Sequence, residues 1–63
     1  MPLIDVSLIE GRSQAQLREL ISKLTAATVE ALDAPEQSVR VVVREVSPTH
    51  WAAGDVTIAE RRN

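Results

Sequence analysis

Five valines crowd into the eight residues from Val39 to Val46, and no other feature narrows the possible folds of this chain as much. A β-branched side chain has a stiff χ1 that suits a pleated, half-buried surface, so the segment predicts a β-strand. Alternation then sorts its faces, with Val39, Val41 and Val43 on one side and Arg40, Val42, Arg44 and Val46 on the other. Leu3 to Ile9 alternates in the same way, setting Ile4, Val6 and Leu8 opposite Asp5 and Ser7. Gly11 breaks that first strand. Ser13 followed by Gln16 is a capping-box pattern, in which hydroxyl and amide each satisfy a free backbone N–H at a helix start. Behind it Leu17, Leu20, Ile21, Leu24, Thr28, Ala31 and Leu32 recur at spacings of three and four, an apolar stripe along one helix. The helix should stop near Asp33, because Pro35 disfavours helical geometry in Ala34.

Strand, helix and strand within about forty-five residues make a βαβ unit with parallel strands and a right-handed crossover. The fold class is therefore α/β (α+β), a single β-α-β unit. The helix covers one sheet face. Leu3, Ile9, Val42 and Val46 lie on the other, where the chain has no second helix to offer, so a partner subunit is the expected cover. Beyond Pro48, Gly54-Asp55 suggests a turn and Val56 to Ile58 a short edge strand or hairpin arm, giving a short C-terminal hairpin. The closing Glu-Arg-Arg-Asn reads as a solvated tail.

The 63 residues amount to one domain, 1–63, of a size that buries only about 60% of its unfolded surface. Such a domain needs reinforcement. There is no cysteine for disulfides, and a single histidine supplies no structural zinc site, which leaves oligomerisation. Seven basic against nine acidic residues, a net charge of −2, argue against a general grip on nucleic acid. No apolar run approaches the ~20 residues of a membrane span, and the start lacks the features of a signal peptide, so a cytoplasmic protein with no membrane attachment is expected.

The residues able to carry chemistry are Pro2, Arg12, Arg40, Arg44, His50 and Trp51. No serine has a placed histidine or a strained elbow around it, which leaves a serine hydrolase without support. Glycine occurs only at 11 and 54, which excludes a phosphate-cradling loop. His50 reads as a surface-turn residue. Arg44 shares a strand face with Arg40 and is expected to pair with an acidic neighbour. What remains is an amine and two arginines, the amine being Pro2 once Met1 is removed.

"MPLIDVSLIEGRS", then a helix, then "SVRVVVREV", then the aromatic of "HW", resembles the 4-oxalocrotonate tautomerase family, the short-subunit branch of the tautomerase superfamily. The resemblance covers essentially the whole chain. It implies a tautomerase fold assembled as a homohexamer, a trimer of dimers, with no cofactor. It also implies Pro2 as general base, taking the hydroxyl proton of a 2-hydroxydienoate and returning it to carbon. By the same resemblance Arg40 holds the near carboxylate and the 2-oxo oxygen, Arg12 the distant carboxylate, and Trp51 with Ile9 the hydrophobic wall. The implied substrate is a small dicarboxylate or enol acid, 2-hydroxymuconate, converted to 2-oxo-3-hexenedioate. The physics is consistent with that assignment. A secondary amine is too basic to accept a proton near neutrality, but burial beside Trp51 and the charge of Arg40 both disfavour its ammonium form. Guanidinium groups can clamp a carboxylate and stabilise a developing dienolate.

Pro2 and Arg12 stand at opposite ends of the first strand, separated by about eight residues at ~3.3 Å each, roughly 26 Å. A small diacid cannot bridge that gap, so one site can hold both only if Arg12 comes from a neighbouring antiparallel chain. Two departures from the family pattern stand out. Trp51 replaces the common phenylalanine, and Ala52-Ala53-Gly54-Asp55 replaces a glycine-rich turn. Hydratase and dehalogenase relatives carry a carboxylate two residues after the aromatic, where this chain has Ala53. A lyase of that kind on unsaturated acids, using Asp55 or Glu45 to position water, and a non-catalytic oligomer that merely binds a small acid are the two alternatives to a tautomerase.

Overall fold

The computed structural model describes residues 1–62. Strand β1 (Leu3–Ile9) is followed by helix α1 (Gln14–Leu32), a 3-10 turn at Glu36–Ser38 and strand β2 (Arg40–Val46). A second 3-10 turn at Pro48–His50 leads to strands β3 (Ala52–Ala53) and β4 (Val56–Thr57) and a short helix α2 (Ile58–Arg61). β1 and β2 pair in parallel from Leu3 opposite Arg40 to Ile9 opposite Val46, as a βαβ unit requires. Backbone bonds close both ends of the ladder, Arg40 N–H donating to the Pro2 carbonyl at 2.9 Å and Glu10 N–H to the Val46 carbonyl at 3.0 Å.

The alternation seen in the sequence is the alternation of exposure. Ile4, Val6, Leu8, Val41 and Val43 are half-buried on the face against which α1 packs, while Leu3, Asp5, Ser7, Arg40, Val42 and Arg44 are exposed on the open face. β2 begins at Arg40 and not at Val39, because the Val39 N–H is taken by the Glu36 carbonyl at 3.1 Å and closes the preceding 3-10 turn. Ser13 caps α1 as its spacing from Gln16 predicts: its hydroxyl accepts from the Gln16 N–H at 3.1 Å, and its own N–H donates to the Gln16 Oε1 at 3.0 Å. The helix ends where expected, with Asp33 in the left-handed region at φ 53°.

The helix stripe differs from the sequence reading in its last turns. Leu17, Leu20, Ile21, Leu24 and Thr28 are half-buried, but so are Thr25 and Val29, while Ala31 and Leu32 are exposed. Thr25 can join the apolar side because its hydroxyl is satisfied locally, donating to the Ile21 carbonyl at 2.8 Å.

The C-terminal segment also differs. Gly54 and Asp55 both have positive φ, 59° and 64°, and form the two-residue loop of a hairpin that pairs Ala52 with Thr57 and Ala53 with Val56. Ile58 is not part of the arm. It opens α2, whose start is fixed by a second capping box, the Thr57 Oγ1 accepting from the Glu60 N–H at 3.1 Å and Glu60 Oε1 from the Thr57 N–H at 3.0 Å. Glu60 and Arg61 therefore belong to a helix and not to a solvated tail; Asn63 lies outside the described residues.

The molecule is a plate, 44 × 25 × 13 Å. Its radius of gyration is 14.8 Å, against about 10.6 Å for a compact domain of this length. The surface is 4782 Å², about 800 Å² more than the ~4000 Å² of a typical monomer of this mass. None of the described residues is fully buried, and Leu3, Leu32, Val42, Trp51 and Val56 are exposed. Among the described residues no helix is long and apolar enough to cross a membrane.

Candidate active site

The strand pairing brings Pro2 to Arg40. Pro2 is half-buried at the mouth of β1 and its carbonyl accepts the Arg40 N–H at 2.9 Å. The Arg40 side chain stands on the open face with Leu3, and its Nη1 donates to the Gln37 carbonyl at 2.7 Å. That bond anchors one edge of a guanidinium with five N–H donors and leaves the others free for a carboxylate.

Ile9 and Arg12 meet at the opposite end of β1. Arg12 Nη1 leans back on the Ile9 carbonyl at 3.3 Å, just before the Ser13 cap that starts α1. Ile9 pairs with Val46, and from that end of β2 the chain passes through the Pro48–His50 turn to Trp51. Trp51 is 37% exposed, and its carbonyl accepts the Ile58 N–H at 2.9 Å, which ties it to the start of α2. The five candidate residues thus fall into two groups, Pro2 with Arg40 and Arg12 with Ile9, while Trp51 follows from the second end. The length of β1 keeps the two groups apart within one chain.

Arg44 is otherwise engaged. Its Nε and Nη2 reach the two Asp5 carboxylate oxygens at 3.1 and 3.3 Å across the open sheet face, the acidic pairing expected for it. His50 is exposed in the Pro48–His50 turn, in keeping with its surface-turn reading. The Thr57 N–H and hydroxyl bonded to the Glu60 carboxyl hold it below the ordinary value of 4.5. Among the described residues, no cluster of three or more His, Cys, Asp or Glu is placed to hold a metal ion.

Arg61 was not among the candidates, and its Nη2 donates to the Ala53 carbonyl at 3.3 Å, pinning α2 against the hairpin that carries Trp51. The Thr-x-x-Glu spacing of Thr57 and Glu60 was the signal that could have found it. A groove of about 430 Å³ runs along α1, lined by Arg18, Ile21, Ser22, Ala26, Val29 and Glu30 among others. None of the five candidate residues lines it.

The fold and this arrangement define a small α+β protein of the tautomerase family, a family of isomerases: residues 2–61 match the family model described as tautomerase enzyme, and the chain belongs to it. A protein of Ralstonia nicotianae named as a probable tautomerase is 50% identical over 56 residues, 89% of this chain and 80% of its own length. Among solved structures, the chain superposes with a TM-score of 0.94 on TomN, a 4-oxalocrotonate tautomerase homologue of the tomaymycin biosynthetic pathway, at 48% identity over 97% of this chain and 94% of that one. The heterohexameric 4-oxalocrotonate tautomerase of Chloroflexus aurantiacus gives 0.90 at 43% identity, covering 95% and 97%. The fold is that of the 4-oxalocrotonate tautomerases.

Proposed function

We propose that the chain, after loss of Met1, ketonises 2-hydroxymuconate to 2-oxo-3-hexenedioate in a cytoplasmic homo-oligomer, a hexamer built as a trimer of dimers. The Pro2 amine removes the 2-hydroxyl proton, the C2–O bond becomes a carbonyl, the remaining double bond settles between C3 and C4, and the ammonium returns the proton to C5. Substrate and product have the same formula. Arg40 binds the near carboxylate and the 2-oxo oxygen and carries the developing negative charge, Arg12 from a neighbouring chain binds the far carboxylate, and Trp51 with Ile9 closes the apolar side. Desolvation by that wall and repulsion by the guanidinium groups both favour the neutral amine that a base needs.

The observation that carries this reading is the 2.9 Å bond from Arg40 N–H to the Pro2 carbonyl. It fixes the residue that becomes the amino terminus beside an arginine-bearing strand, where a mobile terminus would hold no base in place. Pro2→Ala in the Met1-free protein should lower kcat for loss of 2-hydroxymuconate absorbance by about 10²- to 10⁴-fold, the usual worth of a positioned base. A chain shown by intact mass to retain Met1 should be equally inert, since its Pro2 nitrogen is an amide. Full-rate ketonisation by that chain would overturn the mechanism.

A further inference from the structure

We propose that Glu60 is a positioning residue of the active site: by closing the capping box with Thr57 it builds α2 where the Ile58 N–H tethers Trp51, and it bears on the reaction only through that ring, an inference that rests on the reading above in which Trp51 lines the site. Trp51 is 37% exposed, so packing alone does not fix its ring. Its backbone is held on both sides instead. Before it, the Pro48–His50 turn is closed by Ser47, whose carbonyl accepts the His50 N–H at 2.8 Å and whose hydroxyl accepts the Thr49 N–H at 3.2 Å. After it, the Trp51 carbonyl accepts the Ile58 N–H at 2.9 Å. Ile58 is the first residue of α2, where backbone N–H groups have no partner within the helix, and that free donor goes to Trp51.

Neither piece of the arm stands by itself. β3 and β4 pair Ala52 with Thr57 and Ala53 with Val56, and of these residues only Thr57 is half-buried; an isolated hairpin is marginal in water. α2 has four residues, far below the ~12 to 15 that an isolated helix needs. Its start is set by the reciprocal box, in which the Thr57 Oγ1 accepts the Glu60 N–H at 3.1 Å and the Glu60 Oε1 accepts the Thr57 N–H at 3.0 Å. Thr57 is both the last residue of β4 and the cap of α2, so the box joins hairpin to helix. Arg61 adds a second link through its Nη2, 3.3 Å from the Ala53 carbonyl. The chain thus leaves Trp51, turns through the hairpin and closes on Trp51 again at Ile58.

Glu60 fills this place as an acceptor and not as a charge. Among the described residues the ion pairs are Lys23 with Glu19 and Arg44 with Asp5, and neither includes Glu60. A capping box works with glutamine as well as with glutamate, as Ser13 and Gln16 do at the start of α1. Substitution can therefore separate the shape of the arm from its charge.

The chain has one Trp and no Tyr or Phe, so its intrinsic fluorescence reports the Trp51 ring alone. In the Met1-free protein, Glu60→Ala should raise the quenching of that fluorescence by acrylamide. It should also lower kcat/KM for 2-hydroxymuconate by about 3- to 10-fold, the worth of one hydrogen bond, mainly through KM because a wall meets substrate and transition state alike. Glu60→Gln should match wild type in both readouts. In a Trp51→Ala background Glu60→Ala should cost nothing further, since the ring through which it acts is gone. Arg61→Ala, which cuts the other link, should raise the quenching as well, and it carries the test if Glu60→Ala does not fold. Wild-type quenching in Glu60→Ala and Arg61→Ala would overturn the tether. Equal losses in Glu60→Gln and Glu60→Ala would overturn the proposal by making Glu60 a group that acts through its charge, and costs of Glu60→Ala and Trp51→Ala that multiply would overturn it by giving Glu60 a route that bypasses the ring. Raised quenching in Glu60→Ala beside wild-type kcat/KM in Trp51→Ala would keep the tether but sink the reading of Trp51 as a wall, and with it the place of Glu60 in the site.

Discussion

The two ends of the parallel β1–β2 pair are tied with similar backbone bonds, 2.9 Å at Pro2 and 3.0 Å at Glu10, yet they present their arginines differently. At the Pro2 end, Arg40 grows from a strand and is held by a 2.7 Å bond to the Gln37 carbonyl. At the Ile9 end, Arg12 sits between a strand and a helix cap, and its bond to the Ile9 carbonyl is 3.3 Å. One end is a seated group beside a seated terminus. The other is a longer reach, placed by the start of a helix, at the end of the sheet from which β2 leads on to Trp51. The difference teaches that the two groups of candidate residues are held in unlike ways, and that on the proposed reading each is a half-site that neither grips nor reaches both ends of a diacid by itself.

The largest test of that contrast is complementation. Pro2→Ala and Arg12→Ala chains, each impaired alone, should recover about a quarter of wild-type turnover when assembled together at random, because a site then draws an intact Pro2 from one chain and an intact Arg12 from another. No recovery in a mixed assembly would confine both residues to one chain and break the comparison. Next in size, Arg40→Ala and Arg12→Ala should each cost about 10- to 100-fold in kcat/KM, the worth of a lost charge-assisted contact. They should differ in kind: Arg40→Ala through kcat, because in the proposed mechanism it carries the developing charge, and Arg12→Ala mainly through KM. Smaller again, Ser13→Ala should cost about 1 kcal/mol of stability. Amide exchange should quicken from Arg12 to Gln16 and stay unchanged at Leu3 and Arg40, where the ladder does not depend on that cap.

The smallest effect concerns the arm. The Glu60 carboxyl is held below 4.5 by Thr57, so its cap on α2 is complete above the ordinary value and is lost as pH falls through the lower, folded one. Fraying of Ile58–Arg61 under acid, followed by amide chemical shifts, should precede any change in α1, whose cap uses a serine and a glutamine that do not titrate. An α1 that frays first would reverse the assignment.

Much of the βαβ unit was legible because its signals are local. The bounds of β1, the Ser13–Gln16 box and the Asp33 stop follow from residues that interact within four positions, and the strand faces follow from a period of two. Val39 was misplaced because a 3-10 turn competed for its N–H, which valine density does not register. Ile58 and Arg61 were assigned to an arm and a tail although Thr57 and Glu60 have the spacing of a cap; the nearby Gly-Asp turn and the end of the chain outweighed it. The stripe on α1 was drawn toward Leu32 by hydropathy, and so missed Val29 and Thr25, whose hydroxyl is satisfied within its own helix. For the candidate site the sequence offers a set of residues and a distance that does not close, and the fold sets them in two groups, Pro2 by Arg40 and Arg12 by Ile9. On the proposed shared-site reading, which neighbour supplies which half depends on contacts between chains, and no periodicity within one chain encodes them.

The bond between Pro2 and Arg40 also sets an order of events during synthesis. Pro2 cannot take its place in the ladder until residue 40 has been made, which at about 5 to 20 residues per second leaves the new terminus without its strand partner for about 2 to 8 s. A parallel strand pair, unlike a hairpin, thus keeps the first residues open to trimming before the sheet closes over them. On the proposed reading, a peptidase that turns the Pro2 amide into an amine would meet the chain in that interval, before a pocket has formed around it.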